Sequence, residues 1–169
     1  ERLNKIKIPE KKDVPWFTRR NTTTYQCCEN YNKEERKTIH EIVDKIKVKY
    51  ERHIGKKLYN IGTKATIYVY HGSTSQHLWH VDPQNISEIY NLILCFKKEG
   101  EISPLQCKDN QGNKHSIHFE PGDAAMFKGG TTIHQVPPNK DDNSKRYVLS
   151  VKFTSDKNLT QNSNNMCTY

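Results

Sequence analysis

From about residue 64 onward the chain is cut into short runs of apolar or alternating residues, each closed by turn-forming residues. Few folds accept such a texture. The runs are Ala65–Tyr70, His77–Asp82, Ile89–Phe96, Glu101–Cys107, Lys114–Phe119, Ala124–Phe127, Thr131–Val136 and Arg146–Phe153. Gly, Pro, Asn, Asp and Ser fill the gaps between them, at His71–Ser75, Pro83–Ser87, Lys97–Gly100, Lys108–Asn113, Pro121–Asp123, Lys128–Gly130 and Pro137–Ser144. Each run is too short for a stable helix and suits a half-buried strand. Eight short strands with regular turns predict a mainly β domain, either a sandwich or a small closed barrel.

A different pattern precedes them. Ile39, Ile42, Ile46 and Tyr50 recur at helical spacing, with Val43 beside them. Asn32 can cap this helix, Glu34 and Glu35 place acids in its first turn, and Gly55 can end it. Its single apolar stripe predicts a helix lying across a sheet. Residues 1–32 read as an irregular N-terminal arm, with Pro9, Pro15 and the polar run Arg19–Thr24. Trp16, Phe17 and Tyr25 are positioned to pin the arm to the body. Residues 33–154 then form the helix-plus-β domain, and 155–169 a polar tail. No internal repeat is visible.

The 169 residues suffice for one domain with a core, and hydrophobic residues make up 33% of them. No apolar run approaches the ~20 residues of a membrane helix, so no membrane partner is expected. The formal charge of +8 suits anionic partners such as nucleic acid, an acidic protein segment or a dicarboxylate. A solvated lysine-rich surface is the simpler account of it, because lysines are scattered over the whole chain. The five cysteines, Cys27, Cys28, Cys95, Cys107 and Cys167, are odd in number and lack a CxxC pair. They predict neither a disulfide framework nor a cysteine zinc site, and favour a reducing, cytoplasmic setting. Sequons at Asn21, Asn85 and Asn158 are what chance supplies in a chain rich in Asn, Ser and Thr.

The chemistry gathers at His80-Val81-Asp82, at the end of a strand. Side chains alternate along a strand, so His80 and Asp82 share one face and Val81 takes the other. His134 follows in a later strand, after Gly129-Gly130. Two imidazoles and one carboxylate make a facial triad that leaves coordination positions open, the arrangement of non-haem Fe(II) oxygen chemistry. The tripeptide alone is common, and a surface pair in a loop would read the same. The last strand adds weight. Tyr147, Leu149, Val151 and Phe153 form its apolar face, and Arg146, Val148, Ser150 and Lys152 the other. An arginine facing the interior demands an anion, and a carboxylate matches the guanidinium fork.

The stretch from Tyr70 to Asp156 resembles the Fe(II)/2-oxoglutarate-dependent dioxygenases, within them the prolyl-hydroxylase-like branch. The resemblance rests on Tyr70-His71-Gly72, His80-Val81-Asp82, Pro121-Gly122-Asp123-Ala124-Ala125-Met126-Phe127, His134-Gln135-Val136-Pro137 and Arg146-Tyr147-Val148-Leu149-Ser150-Val151. It covers about half the chain. It implies a double-stranded β-helix, or jelly roll, of about eight strands behind the N-terminal helix. It also implies roles: His80, Asp82 and His134 hold Fe(II), Arg146 pairs with the distal carboxylate of 2-oxoglutarate, and Tyr70 hydrogen-bonds that cosubstrate. The implied reaction is O2-driven decarboxylation of 2-oxoglutarate to succinate and CO2 with oxidation of a substrate C–H bond. Ascorbate is an admissible helper. A protein or peptide substrate is favoured, proline among the residues hydroxylated.

The sequence departs from that pattern in places. Asn139–Ser144 lengthens the gap between His134 and Arg146, which makes Lys145 a rival anchor. A cosubstrate tyrosine expected on the third strand is replaced by Cys95 or Phe96, with Tyr68 or Asn91 as substitutes. Lys152 follows Arg146 by six residues on the same face, where nucleic-acid demethylases of the superfamily place a second basic residue. A nucleic-acid oxidative demethylase or hydroxylase is therefore an alternative, with the Trp16–Arg20 arm as a base-binding lid. A non-catalytic cupin-like binding module is another. His77 and Trp79 are expected to share a face, with Trp79 serving packing, and His115 and His118 to lie on opposite faces. The sequence carries no signal for oligomeric state.

Overall fold

The computed structural model describes residues 19–20, 22–61, 65–82 and 88–160. The chain order is β1 (Arg19–Arg20), β2 (Thr22–Gln26), α1 (Cys27–Asn30), α2 (Lys33–Ile54), β3 (Tyr59–Asn60), β4 (Thr66–His71), β5 (Gln76–His80), β6 (Ile89–Glu99), β7 (Leu105–Lys108), β8 (Lys114–Ile117), β9 (Ala124–Lys128), β10 (His134–Val136) and β11 (Lys145–Thr154), followed by a 3-10 turn at Lys157–Thr160. One sheet runs β1-β5-β10-β7-β8 and the other β2-β4-β11-β6-β9, with β3 added on β11. Every pairing is antiparallel. This is the expected jelly roll, and all eight expected strands are present.

Three strands were not expected. Thr22–Gln26 pairs along its length with β4, so the segment read as an irregular arm contributes to the larger sheet. Its run of threonines is polar but β-branched, and such residues fit an edge strand. Arg19–Arg20 pairs with β5, and Tyr59–Asn60 with β11. Trp16, Phe17, Cys167 and the sequons at Asn21 and Asn85 lie outside the described residues, as does the tail beyond residue 160.

The helix obeys the sequence. Asn32 caps α2 through a capping box with Glu35, and Gly55, in the left-handed conformation at φ 66°, ends it. Ile39 and Val43 are buried, while Ile42, Ile46, Tyr50 and Ile54 pack against the same core. The Tyr50 hydroxyl donates to the carbonyl of Ala124 at 3.0 Å and ties the helix to β9. No helix among the described residues is long and apolar enough to cross a membrane.

Two apolar layers result. The larger lies between α2 and one face of the six-stranded sheet and holds Ile67, Val69, Leu92, Leu94, Phe96, Tyr147, Leu149, Val151 and Phe153. The smaller holds Tyr70, Cys95, Leu105, Phe119, Val136 and Val148, drawn from both sheets. Strand alternation sorts neighbours between the two. Thus Phe96 and Tyr147 meet in the outer layer with ring centroids 6.0 Å apart, while Cys95, Arg146 and Val148 face inward.

Candidate metal centre

The inner faces of the two sheets enclose a cavity of about 80 Å3, lined on one side by His77, His80, Asp82 and His134 and on the other by Tyr68, Tyr70, Asn91, Arg146 and Lys152, among others. Antiparallel pairing of β5 with β10 sets His134 directly opposite His80. Donor atoms of His80, Asp82 and His134 all lie within 4.8 Å of one another, the one such group of three found among the described residues. The sequence stretches that supply them are more than fifty residues apart, and the sheet register brings them together.

The local geometry prepares these groups to bind a cation. His80 Nδ1 lies 2.6 Å from the carbonyl oxygen of Leu78, and His134 Nδ1 lies 3.0 Å from that of Thr132. A carbonyl oxygen only accepts, so each Nδ1 carries a proton, and in the neutral imidazole Nε2 then keeps its lone pair. Both histidines thus use the same device, a bond to the carbonyl two residues earlier, which fixes tautomer and ring orientation as at metal centres. His80 Nε2 is buried and has no hydrogen-bond partner. The rings of His80 and His134 lie with centroids 4.2 Å apart, and Phe127 packs on His134 at 4.7 Å.

Asp82 is held by its neighbours. Its amide donates to the carbonyl of Gly129 at 3.0 Å, and Gly129 N donates to Ile89 O at 3.0 Å. Asn91, buried on β6, donates its side-chain amide to Asp82 Oδ2. Gly129 leaves room for this pair of side chains. A Cβ there would stand 2.9 Å from Asn91 Nδ2 and 2.9 Å from Asp82 Oδ2.

Arg146 is 2% exposed. Its Nη2 donates to the carbonyl of Ser103 and, at 3.4 Å, to Asn139 Oδ1, and its guanidinium lies 5.8 Å from the centre of the Tyr70 ring. Burial lowers its pKa from the ordinary value, yet an arginine stays charged. Its Nε has no partner, and among the described residues no carboxylate pairs with it. Lys145, the rival anchor, points away and pairs with Glu99 Oε2 at 3.4 Å. The insertion at Asn139–Ser144 takes part in seating Arg146, because Asn139 is buried and accepts from it. Ser103 Oγ donates to Pro138 O at 2.6 Å and holds the two loops together.

Three buried polar atoms without partners, His80 Nε2, Asn91 Oδ1 and Arg146 Nε, belong to residues lining this one cavity. Buried polar groups are almost always satisfied, so the clustering marks a place for a polar ligand. The donor set fits a divalent iron: two imidazole nitrogens and one carboxylate oxygen.

Other expectations resolve as follows. Phe96 faces the outer layer and is no substitute for the cosubstrate tyrosine, whereas Tyr68 lines the cavity. Asn91 also lines it but is engaged with Asp82. His77 and Trp79 do not share an environment. The ladder slips between His134 and Val136, one residue too many on β5, so His77 turns in with His80 at a ring-centroid distance of 3.6 Å. Trp79 instead carries the ammonium of Lys108 at 4.9 Å and that of Lys114 at 5.8 Å. His115 pairs with Asp109 at 2.9 Å on the β7–β8 hairpin. Sequence reasoning missed Ser103, Asn139 and the clamp role of Gly129, because each acts through contacts distant in sequence.

No protein-family model and no curated protein sequence matches the chain. Solved structures match clearly. A prolyl-4-hydroxylase from Pseudomonas putida aligns with TM-score 0.61 at 16% identity, over 85% of this chain and 77% of that one. A Trichoplax adhaerens prolyl hydroxylase, solved with a hypoxia-inducible-factor peptide, aligns with TM-score 0.65 at 16% identity, over 87% and 68%. The α-ketoglutarate-dependent epimerase SnoN of nogalamycin biosynthesis aligns with TM-score 0.65 at 12% identity, over 86% and 67%. The chain has the fold of the non-haem iron, 2-oxoglutarate oxygenases. Prolyl hydroxylases stand among its structural neighbours, and at these identities the likeness speaks for the fold.

Proposed function

We propose that this chain is an Fe(II)- and 2-oxoglutarate-dependent dioxygenase that hydroxylates a protein or peptide residue, with proline the first candidate. His80 and His134 would bind the metal through Nε2 and Asp82 through a carboxylate oxygen. Arg146 would receive the distal carboxylate of 2-oxoglutarate, with Tyr70 beneath the guanidinium. The observation that carries this reading is Arg146: a buried charge without a carboxylate partner in the same cavity as the triad. An uncompensated buried cation costs several kcal/mol, and a dicarboxylate ligand repays it. A binding module of cupin type would need neither the open-sided triad nor this cation.

The metal with O2 and 2-oxoglutarate supplies the oxidising chemistry. The protein orients and shields. The carbonyls of Leu78 and Thr132 hold the imidazoles, Asn91 and Gly129 hold Asp82, and Ser103 and Asn139 aim Arg146. Leu105, Phe119, Val136 and Val148 wall the cavity with apolar surface, which keeps water from the reacting atoms. A peptide substrate draws support from the two prolyl hydroxylases among the neighbours, one of them solved with a peptide. The test is succinate formation from 2-oxoglutarate with and without added Fe(II). Fe(II)-dependent turnover that disappears in His80→Ala supports the reading, and turnover indifferent to metal refutes it.

A further inference from the structure

The smaller sheet has an outer face, turned away from the cavity. Cross-strand pairing sets Cys107 opposite both the inward His134 and His115. Alternation turns the next residue on each strand outward. Val81, Ile133, Lys108 and Lys114 therefore form one outward row across four strands. Lys108 N donates to Ile133 O at 2.8 Å, and Lys108 pairs with Lys114 in the β7–β8 ladder. Val81 and Ile133 are 43% and 41% exposed, and Lys114 is exposed as well. The helix α2 packs on the other sheet and leaves this row open.

The two lysines converge. The ammonium of Lys108 lies 4.9 Å from the centre of the Trp79 ring, and that of Lys114 lies 5.8 Å from it. The indole holds both by cation–π attraction and so keeps two like charges together. Like charges directly opposite in a ladder repel, and a shared anion relieves the repulsion. Among the described residues no carboxylate forms an ion pair with either lysine. Asp109, next to Lys108 in the chain, is engaged by His115 at 2.9 Å and by the Asn113 amide at 3.0 Å. A merely solvated surface would let such ammoniums splay apart.

We propose that this face docks an extended acidic segment of a protein partner. Its carboxylates lie against Lys108 and Lys114, and an aliphatic side chain lies on Val81 and Ile133. Strands ~4.8 Å apart put Lys114 roughly 14 Å from Val81, a span that an extended segment covers in about four residues. The matching segment thus carries an aliphatic residue with acids about two to four residues away. The overall charge of +8 draws it in from a distance. Trp79 is already engaged by its own lysines and offers no open platform for a stacked base, which favours peptide over nucleic acid. Docking here needs no metal, because the row faces away from the cavity. Within the dioxygenase reading, the docked segment is a part of the substrate protein distant from the residue oxidised.

The experiment measures fluorescence anisotropy of labelled ten-residue peptides on the full chain, with and without Fe(II). The peptides carry two leucines and, three residues away, Glu-Asp-Glu, in both chain directions. Counterparts carry Gln-Asn-Gln, and a single-stranded oligonucleotide is the further probe. The acidic peptide in at least one direction should bind about tenfold tighter than its neutral counterpart at low salt and lose that advantage at high salt. The double variant Lys108→Gln/Lys114→Gln should abolish the preference at an unchanged melting temperature. Lys114→Gln alone, at an exposed position, should remove part of it, which separates the effect from a folding defect. Trp79→Leu should weaken the acidic peptide by releasing the lysines. Lys140→Gln, which removes a lysine paired with Glu101, should leave binding as it was. The proposal is overturned by no preference for the acidic peptide in either direction, by a preference that survives the double variant, by an equal loss in Lys140→Gln, or by tighter binding of the oligonucleotide. Binding is read without turnover, so its failure leaves the dioxygenase reading standing, and failure of Fe(II)-dependent succinate formation leaves the docking face standing.

Discussion

Asn91 donates its side-chain amide to Oδ2 of Asp82, and Gly129 closes on both groups. One carboxylate oxygen is thereby fixed, and the chain itself dictates how Asp82 is presented. Partners of this kind typically set metal affinity by a factor of ten or more. Asn91→Leu keeps the volume and removes the donor, so Fe(II) affinity should fall roughly 10- to 100-fold. Metal titration followed by the charge-transfer band measures it. Unchanged affinity would show that Asp82 is oriented by its backbone bond to Gly129 alone.

Gly129→Ala should act on the same pair by sterics. Its Cβ would meet Asn91 Nδ2 and Asp82 Oδ2 at 2.9 Å, so the Asn91 amide and the carboxylate must shift. Overpacking of this kind costs about 1–3 kcal/mol. The expected result is a lower melting temperature together with weaker metal binding. The double variant Gly129→Ala/Asn91→Ala, which removes the clashing amide, should recover part of the melting temperature and none of the metal affinity.

Arg146→Met should separate stability from function. The guanidinium is buried and satisfied only by Ser103 O and Asn139 Oδ1, so an apolar side chain of similar length removes a desolvated charge. Thermal unfolding without ligand should be unchanged or shifted upward. Stabilisation by added 2-oxoglutarate, which follows ligand occupancy, should vanish. Arg146→Met that still gains melting temperature with 2-oxoglutarate would relocate the anchor.

Glu99 gives a pH signature that does not involve the candidate metal site. Its carboxyl is held down to about 2, first by the hydrogen bond from Lys97 at 2.6 Å, with the Tyr147 hydroxyl at 2.9 Å adding to it against the cost of burial. The folded-state pKa is depressed, so its contribution is complete above the ordinary value near 4.5 and is lost as pH falls from there toward 2. The side chain is about one-third exposed (35%), and solvent screening limits the gain to roughly 1 kcal/mol. The melting-temperature gap between wild type and Glu99→Gln should be widest above pH 5 and close on acidification.

Much of this was legible in the sequence, for physical reasons. Asn32, Glu35 and Gly55 mark helix ends because caps satisfy backbone groups locally, and the apolar stripe from Ile39 to Tyr50 reports a period. His80 and Arg146 declare their facing through alternation along β5 and β11, and Asp82 follows two residues past the end of β5. What escaped depends on contacts across sheets. The slip between β5 and β10 turned His77 inward, which no two-residue period foretells. The threonine run of β2 lacks an apolar face and reads as a loop until β4 pairs with it. Asn139 looked like part of a polar insertion and is in fact a buried acceptor for Arg146. Such roles exist only once the chain has closed.

The most direct test of the account is anaerobic titration of the metal-free protein with Fe(II) and 2-oxoglutarate, followed in the visible. The account predicts a charge-transfer band at one metal per chain, absent in His80→Ala and, at matched 2-oxoglutarate, strongly reduced in Arg146→Met. No band in the wild-type protein, or a band that survives loss of His80, would contradict it.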